Sequence, residues 1–429
     1  MKFHSTKNSC SAVTASEAVR AGLASDGGLF VPDSFPVLDS YVLQPDITYM
    51  ERAIRVLKPF FGGDPAELRI EEICSEAFNF PVPLRWLDDK QAVLELFHGP
   101  TLAFKDFGAR FLSEFLEKTC PEGMSPLTVL VATSGDTGGA VAAAFHKKRC
   151  ATVRVFFPQS GVSDRQRAQL TCWGENVTSY SVQGTFDDCQ SLVKHAFTIP
   201  GLSEKMGLTS ANSINLGRLL PQTVYYVHST VLFRERTGVA PYIVVPTGNV
   251  GNVTAAFWAK KMGAPIAGII LAVNANRTIP DYLETGLYNK RKSVATLANA
   301  MDVGHPSNME RLINLFPTFE EIRNEVKAFS VSDDQIKETI RRCYEETGEI
   351  LCPHTAVAER VRGEQLPGMP SIVVATAHPA KFETIVEPLI GKPLEIPASL
   401  AEMLKRPRHE ISITPDTNLV GLVQSDKVA

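Results

Sequence analysis

The sequence predicts an α/β protein with two parallel-sheet domains and a smaller N-terminal domain. Short apolar, β-branched runs alternate with helical patterns of about a dozen residues, as parallel strands joined by crossover helices require. The alternation comes in two series, one starting near Leu127 and one at Tyr242. At 429 residues the chain also exceeds what one core serves, so two or three domains are expected.

Residues 1–90 show less regular patterning and are assigned to the N-terminal domain. The segment His98–Gly108 follows, with Lys105 between Phe104 and Phe107 and an amphipathic run (Phe111, Phe115, Leu116) behind it. Leu127–Ala132 suits a strand buried on both faces, and it runs into Thr133-Ser134-Gly135-Asp136-Thr137-Gly138 and an alanine-rich helix ending near Phe145. Ala151–Phe157 is the next strand, and Ser163 with Gln166 three residues on forms a capping box for the helix after it. Val177–Val182 and Phe186–Phe197 repeat the alternation, which gives a small domain over 125–229.

Tyr242–Val245 opens the second series, turning at Pro246-Thr247-Gly248-Asn249-Val250-Gly251 into a helix. With the strands Ile266–Val273 and Ser371–Ala375 it defines a large domain over 91–124 and 230–429. Within it, 280–330 holds two helical patches and an acidic segment (Glu320, Glu321, Glu325), read as solvated surface.

Composition excludes several function classes. Hydrophobic residues at 44% and charged residues at 21% are those of an ordinary globular protein, and the net charge of −4 is near balance. The longest basic cluster, Lys147-Lys148-Arg149, is no nucleic-acid footprint. No apolar run approaches the ~20 residues that cross a bilayer. The N-terminal residues lack the apolar segment of a signal peptide. Eight scattered cysteines without CxxC spacing fit reduced thiols in the cytoplasm, and nine histidines without ligand spacing predict no metal.

Chemistry is expected at strand-to-helix turns, because small ligands sit at strand C-terminal ends in open α/β sheets. Desolvation favours a neutral lysine amine, so Lys105 in its apolar turn is a candidate Schiff-base nucleophile or base, although such a lysine can also simply reach the surface. Gly248-Asn249-Val250-Gly251-Asn252 lets backbone N–H groups and a helix N-terminus cradle a phosphate, and it is equally readable as an ordinary βα turn. Ser134, Gly135 and Thr137 offer hydroxyls and N–H groups to a carboxylate or merely cap a helix, with Asp136 the odd charge among them. Asn212, Ser213 and Arg218 can clamp a second phosphate, unless Arg218 serves a structural ion pair. Thr376, ending the strand Ser371–Ala375, can cap a helix or donate to a ring nitrogen. Together these suit pyridoxal 5′-phosphate (PLP) with an amino-acid substrate, whereas the G-x-G-x-x-G and Walker patterns are missing.

These segments carry a resemblance. His98–Gly108, Thr133–Gly138, Gly248–Asn252, Pro353-His354-Thr355-Ala356-Val357 and the early Gly22–Pro32 closely resemble the threonine synthase family. The similarity runs from about residue 20 to about residue 385. It implies a fold-type-II PLP enzyme, tryptophan synthase β-like in architecture, of the longer class. It implies a carbon–oxygen lyase that converts O-phospho-L-homoserine and water to L-threonine and phosphate by γ-elimination and β-addition.

By position, the resemblance gives Lys105 the Schiff base with PLP and the α-proton. Gly248, Asn249, Val250, Gly251 and Asn252 would take the cofactor phosphate, Thr376 the pyridine nitrogen, and Asp136 would lie near the phenolic oxygen. Ser134, Gly135 and Thr137 would hold the substrate carboxylate, and Asn212, Ser213 and Arg218 its phosphate. The expected partner is this small molecule alone, with no nucleic acid or membrane, for a monomer or homodimer. One departure stands out: an Asn-Asp-x-x-x-Arg pattern is replaced by Asn276-Arg277-Thr278-Ile279-Pro280-Asp281, its charges exchanged, and a structural ion pair is expected there. Alternatives are threonine dehydratase, a cystathionine or cysteine synthase, a non-catalytic PLP-binding homologue, and a nicotinamide-binding dehydrogenase.

Overall fold

The computed structural model describes residues 1–424. The N-terminal segment gives strands β1 (Lys2–Ser5), β2 (Val13–Thr14) and β3 (Phe30–Pro32), followed by β4 (Leu84–Trp86) and β5 (Gln91–Glu95). Next come β6 (Leu127–Ala132), β7 (Ala151–Pro158), β8 (Val177–Val182) and β9 (Leu208–Ser210). The chain then forms β10 (Tyr242–Pro246), β11 (Gly268–Val273), β12 (Lys327–Ser330), β13 (Ser371–Ala375) and β14 (Ile411–Ile413).

They assemble into three sheets, ordered β2-β1-β3, β12-β11-β10-β13-β5-β4 and β14-β8-β7-β6-β9. The first is antiparallel; the second is parallel except for β4, and the third is parallel throughout. Alternation along the strands decides what each face meets. Ile243, Val245, Ile269, Leu271, Ile372 and Val374 face a central core that also takes Val129, Val131, Val153 and Val155 from the five-stranded sheet. Phe107, Phe111 and Phe115, on one face of the helix Lys105–Lys118, fill the same core. Val244, Ile270, Ala272 and Val373 face a second core with Ala356 and Val357 of the helix Pro353–Gln365, and Leu130, Phe156, Tyr180 and Val182 a third. Burying each such side chain contributes about 1.5–3 kcal/mol, which makes the two large sheets a rigid frame.

Two expectations need correction. A domain boundary at residue 90 would cut a hairpin, because β4 pairs antiparallel with β5 at the edge of the six-stranded sheet. The range 230–429 likewise does not stay with one sheet: β14 adds to β8 of the five-stranded sheet, and residues 425–429 lie outside the described residues. Both strands are three residues long, too short for a period-2 signal. The capping box at Ser163 and Gln166 is present, and Glu320, Glu321 and Glu325 are exposed as expected. Among the described residues no helix is long and apolar enough to cross a membrane.

Candidate active site

A pocket lies between the C-terminal ends of β6, β10 and β13. Lys105 reaches it because the loop before it is pinned to the chain after β13. The Phe104 N–H donates to the Thr376 carbonyl at 2.8 Å and the His378 N–H to the Leu102 carbonyl at 3.0 Å. Leu102 takes a left-handed φ of 60° to make the turn. Asp106 locks it from below, its carboxylate accepting from the Thr101 N–H at 2.9 Å and the Thr101 hydroxyl at 2.6 Å. Lys105 opens the helix Lys105–Lys118, with Nζ 5.3 Å from the Phe104 ring centre. Burial pushes its ammonium down to about 8; Asp136 opposes that shift, and Lys381 and Arg218 reinforce it. A group with that pKa supplies free amine near neutral pH, as a nucleophile or base requires.

Opposite, β10 turns through Thr247–Val250 into the helix Gly251–Met262, whose N-terminus faces the pocket. Gly248 is obligatory here, since a Cβ would lie 2.6 Å from the Met301 Cα. Val250 holds a left-handed φ of 63°, strained for a β-branched residue, while its carbonyl accepts from the Thr254 N–H at 2.9 Å and the Thr254 hydroxyl at 2.7 Å. Asn249 braces the loop, donating to Ser213 Oγ at 2.6 Å and accepting from the Ser307 N–H at 2.6 Å. The Asn252 Oδ1 accepts from the Tyr226 and Tyr225 hydroxyls, which leaves its buried Nδ2 without a partner among the described residues. An unsatisfied buried donor beside a helix N-terminus fits an absent anion.

The Ser134–Gly138 turn forms the third wall. Gly135 has φ 141°, and Thr133 Oγ1 accepts the Gly135 and Gly138 N–H groups at 3.0 and 2.9 Å. Asp136 heads the helix Asp136–Phe145, within 2.9 Å of Lys381 Nζ and 3.1 Å of Gln166 Nε2. Burial alone would raise its carboxyl, but Lys381, Lys105 and His354 outweigh burial and hold it well below the usual carboxylate range.

Thirteen of the fourteen expected site residues line this pocket: Lys105, Ser134, Asp136, Thr137, Asn212, Ser213, Arg218, Gly248, Asn249, Val250, Gly251, Asn252 and Thr376. Gly135 does not line the wall; it shapes the turn instead. Arg218 is buried, donates to the Ala211 carbonyl, and is pushed down to about 10 by burial against the pull of Asp106, so it stays charged.

His354, Asp302 and Lys381 lie outside the residue set expected from the sequence. His354 lines the pocket with Nε2 accepting from the Ala300 N–H at 3.1 Å, and burial pushes it down to about 4, so the ring stays neutral. Its motif, Pro353-His354-Thr355, was visible without a role. Asn299–Val303 also forms pocket wall, so part of the 280–330 region is interior rather than solvated surface. Arg277 and Asp281 pair at 3.1 Å, one turn apart on a helix surface, and neither lines the pocket.

This arrangement can be set beside known proteins. The model of the "Pyridoxal-phosphate dependent enzyme" family matches residues 85–374, "Threonine synthase N terminus" 2–78 and "Threonine synthase, C-terminal" 355–422. Threonine synthase of Serratia marcescens is 39% identical, the match covering 94% of each chain. The chain belongs to the threonine synthase family of pyridoxal-phosphate-dependent enzymes. The family's solved structures agree at the level of fold. The crystal structure of threonine synthase from Escherichia coli superposes with a TM-score of 0.91 at 36% identity, covering 99% of both chains. PLP-bound threonine synthase from Brucella melitensis gives 0.90 at 33% identity over 99% of this chain and 98% of that one. Membership decides against the dehydratase, cysteine or cystathionine synthase and dehydrogenase readings.

Proposed function

We propose that this chain converts O-phospho-L-homoserine and water to L-threonine and phosphate, with the residues around Lys105 in the following roles. The observation that carries the reading is the pairing of two anion-binding groups with one lysine. The 248–252 turn and the Asn212, Ser213, Arg218 set both line the pocket into which Lys105 reaches.

Bound at Lys105, PLP supplies an electron sink that labilises bonds at the substrate's α, β and γ carbons. The chain's own groups direct that capacity. The N–H groups of 248–252 and the orphaned Asn252 Nδ2 hold the cofactor phosphate. The Thr376 hydroxyl, which lines the pocket, would take the pyridine nitrogen; a neutral hydroxyl there would leave that nitrogen unprotonated and limit side chemistry. Ser134, Thr137 and the N–H groups of their turn hold the substrate carboxylate at the start of the helix Asp136–Phe145. Asn212, Ser213 and the charged Arg218, which line the pocket together, take the substrate phosphate. With its pKa lowered to about 8, Lys105 moves the α-proton.

The decisive measurement is release of phosphate and threonine in equal amounts from O-phospho-L-homoserine. Arg218→Ala should raise KM for this substrate at least about tenfold, the loss of a charge-assisted bond, with cofactor colour unchanged. Unchanged kinetics would count against the phosphate role of Arg218. The expected setting is the cytoplasm, a reading supported by the free cysteines, and the expected form is a monomer or homodimer.

A further inference from the structure

A buried ion pair closes the far side of the site, and the reaction as assigned above gives its lysine no task. Lys381, in the turn after β13, has no exposed surface; its Nζ lies 2.9 Å from Asp136 Oδ1 and donates to the Thr101 carbonyl at 2.7 Å. Gln169 Nε2 donates to that same carbonyl at 3.0 Å. Thr101 in turn binds Asp106, the neighbour of Lys105. One ammonium therefore ties together the two walls that flank the reactive lysine.

Asp136 is within electrostatic reach of two ammonium-bearing side chains, Lys105 and Lys381. An unpaired buried carboxylate is costly and takes whatever cation is near. Without Lys381, its charge would fall on Lys105, and a lysine held protonated can neither attack a carbonyl nor accept a proton.

We propose that Lys381 is a positioning residue that pairs with Asp136 and so keeps this carboxylate from holding Lys105 in its protonated form. The proposal rests on the role given to Lys105 above. The charged and titratable groups facing Lys105 are Asp136, Lys381, Arg218 and His354. Those facing Asp136 are Lys381, Lys105, His354 and Cys352, and Lys381 also faces Asp106 and His378. Burial sets the low Lys105 value, Asp136 works against it, and Lys381 works with it.

Lys381→Met removes a positive charge and frees Asp136, and both changes favour protonated Lys105, so its pKa rises. Asp136→Asn removes the carboxylate that raises it, so the pKa falls. The double variant Asp136→Asn/Lys381→Met falls between the two.

The test is pH-dependent labelling of Lys105 by an amine-reactive reagent, read by peptide mass mapping on the full chain stripped of cofactor. Lys381→Met should move the midpoint upward by about one pH unit or more, the usual size of a nearby-charge effect. In the loaded enzyme the rising limb of kcat with pH should move the same way. A purely structural role would lower the folded fraction and depress activity equally at every pH, with no shift. Should Lys381→Met fail to fold, Lys381→Gln takes its place, since it keeps a donor for Asp136 and the Thr101 carbonyl but not the charge; it must still raise the midpoint. Midpoints that coincide across these proteins overturn the proposal. Failure of the unaltered chain to turn over O-phospho-L-homoserine would instead overturn the functional reading, since labelling needs neither substrate nor cofactor.

Discussion

Two tyrosine hydroxyls fix the amide of Asn252 so that its NH2 group has only the pocket's anion cradle to serve. A hydrogen bond to a charged partner is worth about 1.5–3 kcal/mol. Asn252→Leu should therefore weaken PLP binding about ten- to a hundredfold, measured by equilibrium dialysis of the cofactor. Unaltered affinity would place the cofactor phosphate elsewhere. That Lys105, Asn252 and Arg218 belong to one pocket was legible in the sequence, because each stands in or just after a turn rich in small and polar residues. Lys381 and His354 were not, because what defines them is distant in the chain: Thr101 lies 280 residues from Lys381, and Ala300 54 from His354. No local pattern encodes such a meeting.

At the level of the element, the β10–turn–helix unit depends on close backbone approach. A Cβ on Gly248 would meet the Met301 Cα at 2.6 Å and carbonyl oxygen at 2.8 Å, both main-chain atoms that cannot swing aside. Gly248→Ala should cost about 1–3 kcal/mol through overpacking, read as a lower urea midpoint, and displace the Asn299–Val303 wall. PLP affinity should fall with it; a variant that binds PLP normally would show that this approach is not needed. Strands such as β6, β10 and β13 were readable because burial on both faces leaves a continuous apolar run. β4, β9 and β14 escaped because three residues supply no period, and long-range pairing, not propensity, makes them strands.

Across the whole molecule, one hydrophobic core joins the N-terminal sheet (Phe3), the inner face of the six-stranded sheet (Ile243, Val245) and that of the five-stranded sheet (Val129, Val131). Sequence periodicity separated these regions as domains, yet it could not show that their inner faces meet. A shared core couples their unfolding, so heating should give one cooperative transition rather than separate ones. The pocket lies between the two large sheets, and a ligand bound only by the folded form stabilises the assembly by mass action. At about a hundredfold excess over its dissociation constant, PLP should add about 2.7 kcal/mol and raise the Tm by a few degrees. Removing the cofactor should reverse that shift and leave the single transition intact. Calorimetry on loaded and stripped protein checks both points. Two resolved transitions in the stripped protein would mean that the cofactor, not the common core, holds the sheets together.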